Sequence, residues 1–231
     1  MAAQNLAEGQ PADTPDAALI SEIFHNLSQP LTALHCILDL ALQRDRSLKQ
    51  LRASVQSALD SAECLRQRLL LIRLLNDAGH VRECAAPVDL GGLLQELADD
   101  MGRLFASAER EFRLDVRCRP LLVRADKERL MQALFAFTEY LFRYLPKGGR
   151  VSISVDQKER HAELRIDAAS CLPVSPQEGG CNAPYSCEAE LLRRTLVAGG
   201  GDLGFKSGDS GGSVWIGTLP VERSAASSPA T

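Results

Sequence analysis

The sequence predicts an α+β protein: an N-terminal antiparallel helical hairpin that forms a dimeric four-helix bundle, followed by a two-layer α/β sandwich. Three observations predict it. Between Phe24 and Ile72 the apolar residues recur at alternating steps of three and four, the signature of helices that pack along a seam. Beyond Pro87 the texture changes to helical stretches interleaved with segments of period two. A polar stretch, NDAGHVRECAAP, separates the two regions and carries the Asn, Gly and Pro of a helix end and a linker.

Composition allows a sizeable core: 231 residues, 45% hydrophobic and 24% charged. A net charge of −4 and the lack of any Lys/Arg block argue against nucleic acid or an anionic membrane as a partner. The seven cysteines, at 36, 64, 84, 118, 171, 181 and 187, form no CxxC pair and have no histidine at zinc-like spacing, so they read as reduced thiols of a cytoplasmic protein with no metal site. No apolar run reaches the ~18 residues of a membrane span. MAAQNLAEGQPADTPD has neither the charged nor the apolar region of a signal peptide, so no membrane segment or export signal is expected.

Residues 1–14, rich in Ala, Pro and Asp, are expected to be disordered, as is the tail 221–231. Thr14 can cap a helix whose first residue is Pro15, with Asp16 placing negative charge in the opening turn. Phe24, Leu27, Leu31, Leu34, Leu38 and Ala41 then form an a/d seam. After QRDRS, Ser47 can cap a second helix, where Leu48, Leu51, Val55, Ala58, Ala62, Leu65, Leu69 and Ile72 keep the same alternation. Ile20, Ile37, Leu59, Leu71 and Leu75 widen both stripes beyond what one hairpin can bury, so residues 15–78 are expected to form a homodimer. A hinge over 79–87 leads to the sandwich, 88–220. Its helices are expected at about 90–109, 126–145 and 186–198. Its strands are expected around Phe112/Leu114/Val116, Val151/Ile153/Val155, Leu164/Ile166, Leu203/Phe205 and Val214/Ile216. Alternation on one face implies a sheet covered by helices on one side and wet on the other.

One stretch of the first helix poses a problem. FHNLSQPLTAL, residues 24–34, places Pro30 in mid-helix, where it deletes the bond to the Asn26 carbonyl at a typical cost of ~3 kcal/mol. With Phe24 at an a position, His25 falls at b, outside the seam and in solvent. An exposed imidazole is free to meet an aspartyl phosphate held by another protein.

HNLSQPLTAL resembles the phosphoacceptor box of two-component sensor histidine kinases, with His25, Pro30, Leu31 and Thr32 matching position by position. The layout of hairpin, hinge and α/β sandwich is similar too. The resemblance implies a hairpin that dimerises, a His25 that accepts a phosphoryl group, and a sandwich of the Bergerat ATP-binding fold. RADKERLMQALFAFTEYLFRYLPKGGRVSISV resembles the helix and strand that carry the nucleotide asparagines, keeping Asp126, Arg129, Leu130, Gln132, Leu134, Tyr144, Pro146, Gly148 and Gly149.

The asparagines themselves are replaced. Ala136 takes one position, and Tyr140 stands where the family asparagine carries magnesium, which takes oxygen ligands. DAASCLP stands in place of DxGxGIP: Asp167 remains, while Ala169 and Cys171 put side chains where backbone should approach the nucleotide. The lid segment VSPQEGGCNAPYSC has no basic residue, and the glycines Gly211 and Gly212 before Ser213 read as fold punctuation as readily as phosphate contacts. Beside His25, Asn26 replaces the acid that takes the imidazole proton during attack on ATP; an amide is no general base.

The losses fall on ATP chemistry and spare the display of His25. The expectation is a cytoplasmic histidine phosphotransferase that carries phosphoryl between receiver-domain aspartates through His25. It would bind no ATP, with magnesium supplied by the receiver. Asn26, Gln29, Pro30 and Thr32 would support docking, although Gln29 reads equally well as a solvated polar residue. The alternative is a non-catalytic pseudokinase module that docks a response regulator or another partner.

Overall fold

A computed structural model describes residues 15–42, 47–78, 87–169, 186–207 and 212–222. Helix α1, Pro15–Leu42, runs without interruption through Pro30. Thr14, its expected cap, lies outside the described residues, as does the 43–46 connection. Helix α2, Leu48–Ala78, begins at a capping box: the Ser47 hydroxyl accepts from Gln50 N at 3.4 Å, and Gln50 Oε1 accepts from Ser47 N at 3.0 Å.

The seam read from the sequence divides between two directions. On α1, Leu27, Leu34 and Ala41 are half-buried together with Ile23 and Ile37, whereas Phe24, Leu31 and Leu38 are exposed. On α2, Ala58 is buried and Ser61 and Leu65 are half-buried, while Leu51, Val55 and Leu59 are exposed. Half of each stripe is therefore spent inside the hairpin and half is left outside it, as expected of stripes too wide for one partner helix.

The chain divides by packing into units 1–68 and 69–231. This boundary falls inside α2, upstream of the hinge read at 79–87, because Leu71, Leu75 and Ala78 are buried in the second unit and Arg194 Nη1 donates to the Leu75 carbonyl at 3.3 Å. Residues 79–86 lie outside the described residues.

The second unit holds a two-stranded antiparallel sheet, β1 (Pro87–Asp89) with β3 (Leu122–Arg124), and a five-stranded sheet. The larger sheet is built from β2 (Glu111–Val116), β4 (Arg150–Lys158), β5 (His161–Ala169), β6 (Asp202–Ser207) and β7 (Ser213–Pro220), in the order β2-β4-β5-β7-β6. β2 and β4 are parallel, and all other pairs are antiparallel. The register aligns Leu114, Ile153, Ile166, Trp215 and Phe205 in one row across the sheet, and Val116, Val155, Leu164, Gly217 and Leu203 in the next. Helices α3 (Leu90–Ser107), α4 (Lys127–Tyr144) and α5 (Cys187–Ala198) make the other layer. Each starts at a side-chain cap, supplied by Asp89, Asp126 and Ser186.

The opposite face of the sheet is wet and charged, with pairs such as Arg165 to Asp167, Arg117 to Asp115 and Lys158 to Glu163. Two glycines have strict reasons. Gly148 turns the chain from α4 into β4 at φ +74, and a Cβ on Gly212 would meet the Ala168 carbonyl oxygen at 2.8 Å. Gly212 is thus required by the approach of β7 to β5. The sequence pattern gave no sign of β1 and β3, which at three residues each are too short to show alternation.

Candidate functional site

His25, Gln29 and Thr32 are exposed on α1 at positions i, i+4 and i+7 and share one face; Cys36 and Leu40 continue the same stripe. This face is not the one that carries Phe24, Leu31 and Leu38. Pro30 is half-buried. Its missing N–H loosens the helical ladder one turn past His25.

Asn26 is half-buried and donates from Nδ2 to Glu22 Oε1 at 3.4 Å, and Glu22, three residues before His25, lies on the His25 stripe. The sequence reading missed Glu22, although its i,i+4 spacing from Asn26 was the available signal. The other α1 histidine, His35, is exposed and pairs through Nδ1 with Asp39 Oδ2 at 3.3 Å. An imidazole at His25, on a rigid helix and in solvent, can serve as a nucleophile toward a phosphoryl group presented by another protein.

In the sandwich, the positions that resemble nucleotide contacts are scattered. Tyr140 is only 4% exposed and lies in an aromatic row. Its ring is 6.2 Å from Phe137 and nearly parallel to it, and 5.0 Å from Tyr144; Phe137 in turn meets Trp215 edge-on at 5.1 Å. Ala136 is half-buried on the same helix. Asp167 alternates out of phase with the core residues Leu164, Ile166 and Ala168, which sends it to the wet face, where Arg165 Nε holds it at 2.7 Å. The pattern Leu164/Ile166 already contained this result. Ala169 ends β5 half-buried, in phase with Asp167, and Cys171 lies outside the described residues.

The structure therefore does not bring Tyr140 and Asp167 to one place. One turn beyond Tyr140, Arg143 Nη2 reaches the buried Glu188 Oε1 at 2.8 Å, joining α4 to the first turn of α5. That pair was missed as well. Its signal was Glu188 falling in phase with Leu192 and Thr195 on the inner side of α5. Among the described residues no group of three His, Cys, Asp or Glu could hold a metal ion.

No family model matches the chain. The sensor protein kinase PmrB of Pseudomonas aeruginosa PAO1 is 27% identical over 154 residues, 64% of this chain and 31% of PmrB. The chain thus spans about a third of that relative's length. The histidine kinase AdeS of Acinetobacter baumannii superposes with a TM-score of 0.67 at 17% identity, over 86% of this chain and 98% of AdeS. The chain has the fold of a two-component sensor histidine kinase core. The histidine kinase ThkA, solved in complex with the response regulator TrrA, has a TM-score of 0.64 at 14% identity, over 87% of this chain and 60% of ThkA. Full-length ShkA, solved with AMPPNP, gives 0.60 at 18% identity, over 92% of this chain and 47% of ShkA. Within this histidine-kinase fold, α1 and α2 form the helical hairpin and the second unit is the ATPase-like sandwich. No described helix is long and apolar enough to cross a membrane.

Proposed function

We propose that this chain acts in two-component signalling as a histidine phosphotransferase that carries phosphoryl between receiver-domain aspartates through His25 and uses no ATP. The observation that carries the reading is a contrast: His25 stands in solvent on the helix that matches the phosphoacceptor motif, while Tyr140, at the magnesium-ligand position of the resemblance, is buried in an aromatic row. A magnesium-nucleotide does not fit these residues. A phenol ring replaces the oxygen ligand, and the carboxylate of Asp167 is paired with Arg165 on the far face of the sheet.

In the transfer, an imidazole nitrogen of His25 attacks the phosphorus of the receiver's aspartyl phosphate. The N–P bond forms, the P–O bond to the carboxyl breaks, and the aspartate leaves as carboxylate. The proton on the second ring nitrogen passes to solvent, and the reverse sequence loads the next receiver. The receiver supplies the magnesium and solvent takes the proton, so this transfer needs no acid beside His25, in agreement with Asn26 there. The complex of ThkA with a response regulator supports a receiver as partner for the same fold.

The exposed row of Phe24, Leu31 and Leu38 on α1, with Leu51, Val55 and Leu59 on α2, supports a homodimer closed through these faces. Gln29 and Thr32, flanking His25 on its own stripe, are the docking contacts, and location in the cytoplasm follows from such partners.

The reading is tested by incubating the chain with a panel of phosphorylated receivers and, separately, with Mg-ATP. Phosphate on His25 from a receiver and none from Mg-ATP is the expected result. Labelling from Mg-ATP alone would make the chain a kinase; no labelling from any receiver would leave the docking pseudokinase.

A further inference from the structure

We propose that the last turns of α2, residues 71–78, are a clamp that binds the sandwich directly, so that the joint between hairpin and sandwich lies within α2 near Arg68 and not in the connection that follows the helix. The inference stands on contacts within the second unit and is independent of the chemistry assigned to His25. Leu71, Leu75 and Ala78 recur at i, i+4 and i+7 and form one stripe along the end of α2. They are 9%, 3% and 6% exposed. Arg73, Asn76 and Asp77, on the other side of the helix, are exposed. A helix end standing free in solvent would show no such difference between its two sides.

The same end meets α4 and α5. Leu74 and Ala78 border a cavity of about 200 Å³ whose other walls include Asp126 and Gln132 at the start of α4, and Leu191 and Thr195 of α5. Leu191 and Thr195 are buried. The end of α2 thus extends the helical layer of the sandwich.

Arg194 adds a directional contact. The Leu75 carbonyl is among the last four of α2, which find no N–H partner within the helix and carry the negative end of its dipole. Arg194 Nη1 donates to this carbonyl at 3.3 Å. Nε of the same guanidinium donates to Glu190 Oε1 at 2.6 Å, which fixes its direction. A residue of α5 therefore caps a helix that ends far upstream of it in the chain. The apolar stripe supplies attachment and the guanidinium supplies register. A packing boundary inside a continuous helix, between residues 68 and 69, is what such a clamp produces. Movement of the sandwich relative to His25 then requires α2 to bend at that boundary or the clamp to open.

The test uses the full chain with a protease site inserted between residues 79 and 86 and cut after folding. The two fragments are expected to stay together in gel filtration at micromolar concentration, since residues 71–78 hold the sandwich without the covalent connection. Leu75→Asp puts a carboxylate into the stripe and should release the sandwich fragment. Arg194→Ala should raise the Kd of the cut fragments about tenfold, the loss expected of a hydrogen bond from a charged donor. Arg73→Ala, on the exposed side, should change nothing. Separation of the cut wild type, or equal retention in Leu75→Asp and Arg73→Ala, would overturn the proposal.

If Leu75→Asp fails to fold, hydrogen exchange in the uncut wild type decides the matter. A clamped helix end should protect the amides of residues 72–78 as strongly as those of α5, and exchange at the rate of a fraying terminus contradicts the clamp. No receiver or nucleotide enters these measurements, so their outcome is separable from that of labelling His25.

Discussion

The apolar face of the hairpin makes a quantitative prediction about association. Leu31 sits at the centre of that face on α1 and is 57% exposed in the single chain. Full burial of a leucine side chain is worth about 2 kcal/mol, so covering what remains exposed contributes about 1 kcal/mol per copy. Leu31→Ala removes most of that contribution, and a two-fold dimer counts it twice, giving a loss of about 2 kcal/mol, or roughly 30-fold in Kd.

Leu31→Asp places an unpaired carboxylate in the interface of each copy and should leave only monomer at micromolar concentration. Leu40, 52% exposed but on the His25 stripe, is the control: Leu40→Ala should leave the dimer Kd unchanged. Sedimentation equilibrium measures all four proteins. A monomeric wild type at micromolar concentration, or equal weakening by Leu31→Ala and Leu40→Ala, would refute the assignment of this face.

Three further outcomes follow from the sandwich. Phe137→Ala empties a fully buried position between Tyr140 and Trp215 and should cost about 3 to 5 kcal/mol in urea unfolding. Tyr140→Asn should not confer nucleotide binding, because Asp167 remains on the far face of the sheet. Calorimetry with Mg-ATP should show no heat up to about 1 mM, where ΔG is about −4 kcal/mol, and micromolar binding would contradict this. Burial alone would push the Glu190 carboxyl up, but hydrogen bonds and charge from Arg193 and Arg194 outweigh it and hold the group below its ordinary 4.5. A depressed folded value means that this stability is complete above the unfolded value and is lost as pH falls through the folded one. Glu190→Gln should therefore flatten the fall of Tm below about pH 4.5, while leaving its slope near neutrality unchanged.

Much of this structure is legible in the residues, for identifiable reasons. Long elements with a single strong period read directly: the alternation through Phe24 and Leu38 gave α1, and Val151/Ile153/Val155 gave β4. The same alternation fixed the far-side position of Asp167 once Leu164 and Ile166 were assigned to the core. Other features were not legible. A widened apolar stripe shows that two partners share it, yet it does not tell which half the neighbouring helix takes, so the exposure of Leu31 against the half-burial of Leu34 needed coordinates. β1 and β3 are too short for any period. Glu188 looks like any acid in a first helical turn, and only packing from Arg143 of a distant helix distinguishes it from Glu190.

The central claim is that His25 is a phosphoryl carrier loaded by a receiver. Its most direct measurement is the transfer of labelled phosphate from a phosphorylated receiver of the same pathway to this chain, followed by peptide mapping and lability assays. The account predicts an acid-labile, base-stable label on the peptide containing His25 and passage of that label to a second unphosphorylated receiver. It predicts no label in His25→Ala, whose stability should stay within about 0.5 kcal/mol of wild type because an exposed helical side chain is removed, and full label in His35→Ala. Label retained by His25→Ala, or no label on the wild type from any receiver tried, would contradict it.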